Sequence, residues 1–199
     1  MNERIVIAGL ERLLVPLGFT RRNAVWNRRV GYVVEVIDVQ VSKSGDAITV
    51  NAGVLDGEVY RKLWGEEPPS SVEEPACTVR ARIGDLIDGH DLWWQLNKAN
   101  IDAEVVATVD RLVLPFLKRM HARQAMEEWL ITTEVVRKKY PPPILSLVIL
   151  KDALGKNHEA CELLAKLRSK AVGAWSNRFD EVGRRLGCRS GAEFEATRT

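Results

Sequence analysis

The sequence predicts an α+β fold: an antiparallel sheet of four or slightly more strands packed on helices, followed by a C-terminal helical region. β-branched segments with alternating side chains, separated by turn residues, fill much of the first half of the chain. Apolar residues at helical spacing, interrupted by prolines and glycines, fill the second half. We therefore expect a sheet domain over residues 1–119 and a helical appendage over residues 120–199 that packs on it as one structural unit.

The chain begins with a helical pattern. An apolar stripe predicts one buried helix face, and Asn2 is placed to cap its start. Pro16 disfavours helical geometry at the residue before it, and Gly18 offers a left-handed end, so the helix should stop near that glycine. The stripe consists of Val6, Leu10, Leu13, Leu14 and Leu17.

Four strands are predicted after this helix. Gly31 and the turn at Ser44–Asp46 separate the first three, so these should pair as an antiparallel meander. A polar loop, Gly65–Pro75, precedes the fourth. The predicted strands are Ala24–Arg29, Tyr32–Val41, Ala47–Val54 and Cys77–Ile83.

Helices should account for most of the remaining chain. Asn100 should cap a helix that starts directly after it, and Pro115 should break or kink that helix. A second helix is expected over about residues 120–140. Pro141–Pro143 should end this helix, and Arg137–Lys139 are explained by its dipole.

The last part of the chain predicts an antiparallel helix pair. Ile144–Leu154 is apolar, Gly155–Asn157 forms a turn, and a long helix is expected from His158 towards Leu186. We expect this pair to pack as an appendage, because a helical repeat array needs several units. The apolar run Ile144–Leu150 also makes a homodimer through these helices a hypothesis.

Strand alternation predicts one polar face on the sheet. Apolar side chains should face the helices, which places the polar ones together on the opposite side, with Asp38 close by and Glu35 as an exception in the apolar set. Trp26 and Arg28 alternate together on the first strand and are assigned to the same surface. We call this surface the polar sheet face. Its other predicted members are Gln40, Ser42, Asn51, Arg80 and Arg82.

Two interpretations of the polar sheet face remain open. Two guanidinium groups beside amides and a hydroxyl could hold an anion or a carboxylate, because guanidinium offers a rigid fork of donors. Alternatively, the face is an ordinary solvated surface on which Arg80 and Arg82 pair with Asp38 or Glu35.

No catalytic, metal or cofactor site is predicted. Nucleophilic catalysis needs a base within reach of the nucleophile, but His121 and His158 should be solvated, and the sequence has neither a GxSxG elbow nor a P-loop. One dense group of acidic residues should form turns and caps instead of binding a metal, because its spacing matches no calcium loop. This group is Asp85, Asp88, His90 and Asp91.

Trp93 and Trp94 are adjacent, so only one of them can enter the core if the segment is extended. The other should either pack beneath the helical appendage or contact a partner, and packing is favoured because large aromatic side chains are mostly buried.

Charge and composition argue against several classes of protein. Residues 1–100 carry 12 basic and 14 acidic side chains, and residues 101–199 carry 17 and 13, a balance that disfavours nucleic-acid binding. The pairs Arg21–Arg22 and Arg28–Arg29 should belong to a solvated hairpin. No apolar run is long enough to span a membrane, and the N-terminus does not resemble a signal peptide. Three widely spaced cysteines predict no disulfide framework, so we expect a cytoplasmic protein.

A series of short motifs follows the sheet segments in a characteristic order. They are Leu17–Arg22 (LGFTRR), Trp26–Arg28 (WNR), Val39–Lys43 (VQVSK), Val50–Val54 (VNAGV), Cys77–Gly84 (CTVRARIG) and Trp93–Trp94. Over about residues 5–120 this order resembles the bacterial domain-of-unknown-function family numbered 4304. The resemblance implies a fold and a bacterial origin but no activity. The motif residues of the family fall on Gln40, Ser42, Asn51, Arg80 and Arg82.

The sequence favours a non-catalytic protein-binding module, such as an immunity or antitoxin-like protein that blocks a toxin or another complex partner. Small size, the missing catalytic motifs and an adaptable polar face with tryptophan nearby motivate this hypothesis. The alternative is a domain that binds a small molecule or an anion through Arg80 and Arg82, with or without catalysis.

Overall fold

The computed structural model describes residues 2–133 and 141–188, which form two compact units. The first unit contains residues 2–57 and 69–121, and the second contains residues 58–68, 122–133 and 141–188. The predicted α+β class is confirmed, with an antiparallel sheet and a helical C-terminal part. The basic segment Arg137–Lys139 lies outside the described residues.

The first unit opens with helix α1 (Asn2–Leu14) and a 3-10 turn (Val15–Leu17). Three members of the predicted stripe, Val6, Leu10 and Leu14, are fully buried. Gly18 adopts the left-handed conformation that ends the turn, with φ of 89°.

The sheet has six strands in the order β1-β2-β3-β4-β5, and β6 pairs with β4 beside β5. All pairings are antiparallel, so the predicted meander is confirmed. Strands β1 and β6 were not predicted, because they are too short to show alternation. The strands are β1 (Thr20–Arg22), β2 (Val25–Val30), β3 (Val33–Val41), β4 (Ala47–Asp56), β5 (Val79–Arg82) and β6 (Trp94–Gln95).

Strand β4 is buried along its whole length. On the side away from the helices, its middle lies beneath Cys77, which follows a 3-10 turn (Glu74–Ala76). A Cβ atom at Gly53 would come within 2.7 Å of the Cys77 sulfur, so glycine is required for this close approach. The polar sheet face is therefore covered in part by a loop.

Strand β4 continues into helix α2 (Gly57–Trp64), which was not predicted. After α1, the helices of the first unit are α3 (Ile101–Thr108) and α4 (Leu114–Arg119), joined by a π-helical turn (Val109–Val113). Leu114 donates its backbone N–H to the Val109 carbonyl. The wide turn ends two residues before Pro115, which has no N–H to donate. Asn100 does not cap α3 with its side chain, contrary to the prediction, because it adopts a left-handed conformation with φ of 57°.

In the second unit, α2 is joined by α5 (Arg123–Thr132), α6 (Pro141–Ala153), α7 (Asn157–Arg168) and α8 (Ala174–Leu186). The prolines Pro141–Pro143 start α6, where missing N–H groups cost nothing. The predicted long helix from His158 to Leu186 is wrong, because the chain turns between α7 and α8 at Gly173, with φ of 60°. Within α6, every side chain from Ile144 to Leu150 is buried.

Two of the three cysteines form a disulfide bond, Cys161–Cys188, which joins α7 to the second residue after the end of α8. The third, Cys77, is a buried free thiol. The cysteine pattern predicted no disulfide framework, and the spacing of 27 residues gave no sign of this pair.

Candidate functional site

The sheet register places most of the predicted polar residues on one side. Asn51 lies between Asp38 of β3 and Arg82 of β5, and Gly53 is paired with Arg80. Gln40 shares the parity of Asp38 on β3. The predicted grouping of Gln40, Asn51, Arg80 and Arg82 on one face of the sheet is therefore correct as geometry.

Asn51 is the centre of a hydrogen-bonded network on the polar sheet face. It is buried, and its amide nitrogen donates to Asp38 Oδ2 and Gln40 Oε1, each at 3.1 Å. Its amide oxygen accepts from Arg82 Nε at 3.2 Å, and Arg82 Nη2 donates to Gln40 Oε1 at 3.1 Å. Each side chain is thus held by at least one other, which fixes its conformation.

Arg82 also connects this network to the loop before β6. Its Nη1 donates to Asp91 Oδ1 at 3.0 Å, and its guanidinium carbon lies 5.5 Å from the centre of the Trp93 ring. Trp93 Nε1 donates to Asp91 Oδ2 at 2.9 Å. These hydrogen bonds, from Trp93 first and then from Arg82, lower the pKa of the Asp91 carboxyl. Trp94 is buried, which confirms that only one tryptophan of the pair enters the core.

Arg80 is engaged separately. Its Nε and Nη2 donate to the two carboxylate oxygens of Glu74, each at 2.7 Å, and Glu74 is only 5% exposed. The two arginines therefore do not form an unpaired cationic platform. Both arginines are paired, but the partners are Glu74 and Asp91 instead of the expected Asp38 and Glu35.

Asp38 has no cationic partner at bonding distance among the described residues. Burial raises the pKa of its carboxyl, the hydrogen bond from Asn51 opposes this shift, and the charge of Glu73 adds to it. Ser42 lies just beyond β3, where its hydroxyl accepts the backbone N–H groups of Asp46 and Ala47. Its role is to hold the turn before β4.

The assignment of Trp26 and Arg28 to the polar sheet face is wrong. Trp26 is paired with Ile37 and Arg28 with Glu35, residues whose side chains point to the helix side of the sheet. Trp26 is fully buried. Their strand carries polar residues in both alternating positions, so its phase was ambiguous in the sequence.

On that opposite side, Glu35 forms a buried ionic cluster. The carboxylate is completely inaccessible, and it accepts from Arg28 Nε at 2.5 Å and bonds His121 Nε2 at 2.7 Å. Arg28 Nη1 donates to the Leu17 carbonyl, and its guanidinium lies 4.5 Å from the centre of the Phe19 ring. We call Arg28, Glu35 and His121 the Glu35 cluster. The prediction that His121 is solvated is wrong. The sequence carried one sign of this contact: Glu35 stands among apolar residues on its strand, and a buried carboxylate needs partners.

Two members of the acidic group before β6 form turns, as predicted, whereas Asp91 pairs with Arg82. Asp85 accepts the backbone N–H of Arg82 at 2.8 Å, and Asp88 accepts that of His90 at 3.0 Å. In residues 2–133 and 141–188, no group of three or more His, Cys, Asp or Glu side chains is arranged to hold a metal ion. Burial, and secondarily the charge of Glu74, raises the pKa of the Cys77 thiol well above its ordinary value, so this thiol is poorly suited to act as a nucleophile.

Comparisons with known proteins bear on the first unit. None of the helices in the described part of the chain is long and apolar enough to cross a membrane. No curated protein and no solved structure matches the sequence. Residues 10–119 match the family described as "Domain of unknown function (DUF4304)". This match covers more than half of the 199 residues and includes all six strands of the sheet. The chain therefore belongs to the DUF4304 family.

Proposed function

We propose that this chain is a non-catalytic protein-binding module of the immunity or antitoxin type, which acts in the bacterial cytoplasm by covering a functional surface of a protein partner. The observation that carries the proposal is the ordered Arg82–Trp93 pair on the polar sheet face. Arginine and tryptophan are the residue types that dominate binding energy at protein interfaces.

Pre-ordering of the polar sheet face supports this proposal. Arg82 is held by Asn51, Gln40 and Asp91, so little side-chain entropy remains to be lost on binding. The side chain is still 34% exposed, and Gln40 and Asp91 are exposed as well. A partner would therefore meet fixed donors and acceptors of both charge signs.

The charge pairing favours a protein over a small anion. An anion would compete with Asp91 for Arg82 and with the nearly buried Glu74 for Arg80. A protein surface with mixed polar groups can instead bond to both members of each pair. Self-association through the apolar run Ile144–Leu150 has no support, because that run is buried inside the chain.

The test is quantitative affinity capture from the native host with the tagged full-length chain. We expect one stoichiometric protein partner, and at least a tenfold loss of affinity in Trp93→Ala and Arg82→Ala. Arg4→Ala is the matched control, since Arg4 is exposed on α1 and is not part of the polar sheet face.

Absence of a stoichiometric partner, or equal capture by the Trp93→Ala and Arg4→Ala variants, would refute the proposal. A thermal-shift titration with inorganic phosphate and citrate examines the anion alternative. Stabilisation of the wild type that disappears in Arg82→Ala would favour that alternative instead.

A further inference from the structure

The Glu35 cluster combines a fully buried carboxylate with a guanidinium and an imidazole that are both partly exposed. Glu35 is inaccessible, whereas the side chains of Arg28 and His121 are 25% and 29% exposed. Because both carboxylate oxygens of Glu35 are used, the guanidinium and the imidazole lie on either side of one carboxylate. The two exposed groups are therefore close neighbours at the surface.

Both groups retain hydrogen-bonding capacity. Within the described residues, neither Nη2 of Arg28 nor Nδ1 of His121 has a hydrogen-bond partner; the other nitrogens of Arg28 bond to Glu35 and Leu17, and Nε2 of His121 bonds to Glu35. Lys118, exposed at the end of α4, adds positive charge close to His121 in the chain. The Glu35 carboxylate balances only one of the two positive charges of Arg28 and Lys118, so the local surface is suited to an anionic group.

Three exposed apolar side chains lie near Arg28 and His121. Leu17, Val30 and Tyr32 are 41%, 38% and 52% exposed. Leu17 bonds Arg28 through its carbonyl, and Tyr32 donates its hydroxyl to the His121 carbonyl at 2.6 Å. Val30 lies two residues beyond Arg28 on β2, on the same side of the strand. Exposed apolar side chains beside polar groups in this way are a feature of interaction sites.

We infer that the Glu35 cluster and its apolar rim form a second interaction surface, on the helix side of the sheet, for a protein segment that carries an acidic side chain between apolar residues. The carboxylate of the partner would accept from Arg28 Nη2 and His121, and its apolar neighbours would cover Leu17, Val30 and Tyr32. Burial by this rim would strengthen the charge-assisted hydrogen bonds. The surface is separate from the polar sheet face, so this inference does not depend on the proposed function.

The experiment uses the full chain and NMR signals of the histidine imidazoles. The probe is the acetylated and amidated peptide Leu-Glu-Leu, and the matched probe is Leu-Gln-Leu, which lacks only the charge. We expect saturable shifts of the His121 signal with the glutamate peptide and at least tenfold weaker binding of the glutamine peptide. His90 and His158, whose side chains are 87% and 82% exposed, are internal references that should not move.

Substitutions in the apolar rim test the surface without altering Arg28, whose replacement could prevent folding. Val30→Ser should weaken peptide binding at least threefold, because it removes apolar area without touching Glu35. Ile5→Ser is the matched control, since Ile5 is 47% exposed on α1. An unmoved His121 signal, equal shifts with both peptides, equal shifts with acetate alone, or equal effects of the two serine variants would overturn the inference.

Discussion

In the first unit, the fold shifts the pKa values of two carboxyl groups in opposite directions. Asp91 is exposed and accepts from Trp93 and Arg82, which lowers its pKa. Asp38 is partly buried on the same side of the sheet, and burial raises its pKa although Asn51 donates to it. Two carboxyls on one surface should therefore affect stability with opposite dependence on pH.

The Asp38→Asn substitution tests this difference. A carboxyl whose folded pKa is raised contributes most to stability below its unfolded pKa, and the contribution is lost as pH rises through the folded pKa. Relative to wild type, the Asp38→Asn variant should therefore gain free energy of unfolding between acidic and neutral pH. Urea unfolding at a series of pH values measures this gain.

Asp91→Asn is the control with the opposite sign. The folded pKa of Asp91 is lowered, so the wild-type carboxyl adds stability above the unfolded pKa and loses it as pH falls. The free energy of unfolding of wild type, relative to that of the Asp91→Asn variant, should therefore increase between acidic and neutral pH. Parallel profiles for the two variants would contradict the environments described for Asp38 and Asp91.

At the scale of elements, the phase of each strand determined how much could be predicted. Strands β3 and β4 are long and mostly apolar on one side, so their alternation correctly placed Gln40 and Asn51 together. Strand β2 has polar side chains in both phases, and its orientation depends on Arg28 reaching Glu35 across the register. A cross-strand ion pair of this kind depends on the pairing, which the sequence of one strand does not contain.

The Arg28–Glu35 pair joins β2 to β3, and His121 joins both to the end of α4. Arg28→Met should lower the free energy of unfolding by about 3 kcal/mol, because a buried carboxylate loses its closest cation. The double variant Arg28→Met/Glu35→Leu should recover most of this loss, since it removes the buried charge as well. Urea unfolding of the two variants, with Arg4→Met as an exposed control, measures the difference. A double variant no more stable than the single one would show that Glu35 does not depend on Arg28.

At the scale of the whole molecule, the disulfide relates the structure to the compartment in which the protein acts. Disulfides are rare in the cytosol because cellular thiols keep cysteines reduced. The proposed cytoplasmic location therefore implies that Cys161 and Cys188 are thiols in the cell, although their positions allow the bond. Cys77 is buried and unpaired in either state, which makes it an internal reference.

Reduction should weaken the second unit and leave the first unchanged. The bond closes a loop of 27 residues, for which the lost chain entropy is worth about 3–4 kcal/mol. Adding a dithiol reductant should therefore accelerate amide hydrogen exchange in α7 and α8, whereas β4 should keep its protection. Cys161→Ser should reproduce the reduced state without reductant. Acid-quenched alkylation of host cells then decides the location: labelled Cys161 and Cys188 agree with a cytoplasmic protein, whereas protected thiols that react only after reduction would place the working protein in an oxidising compartment.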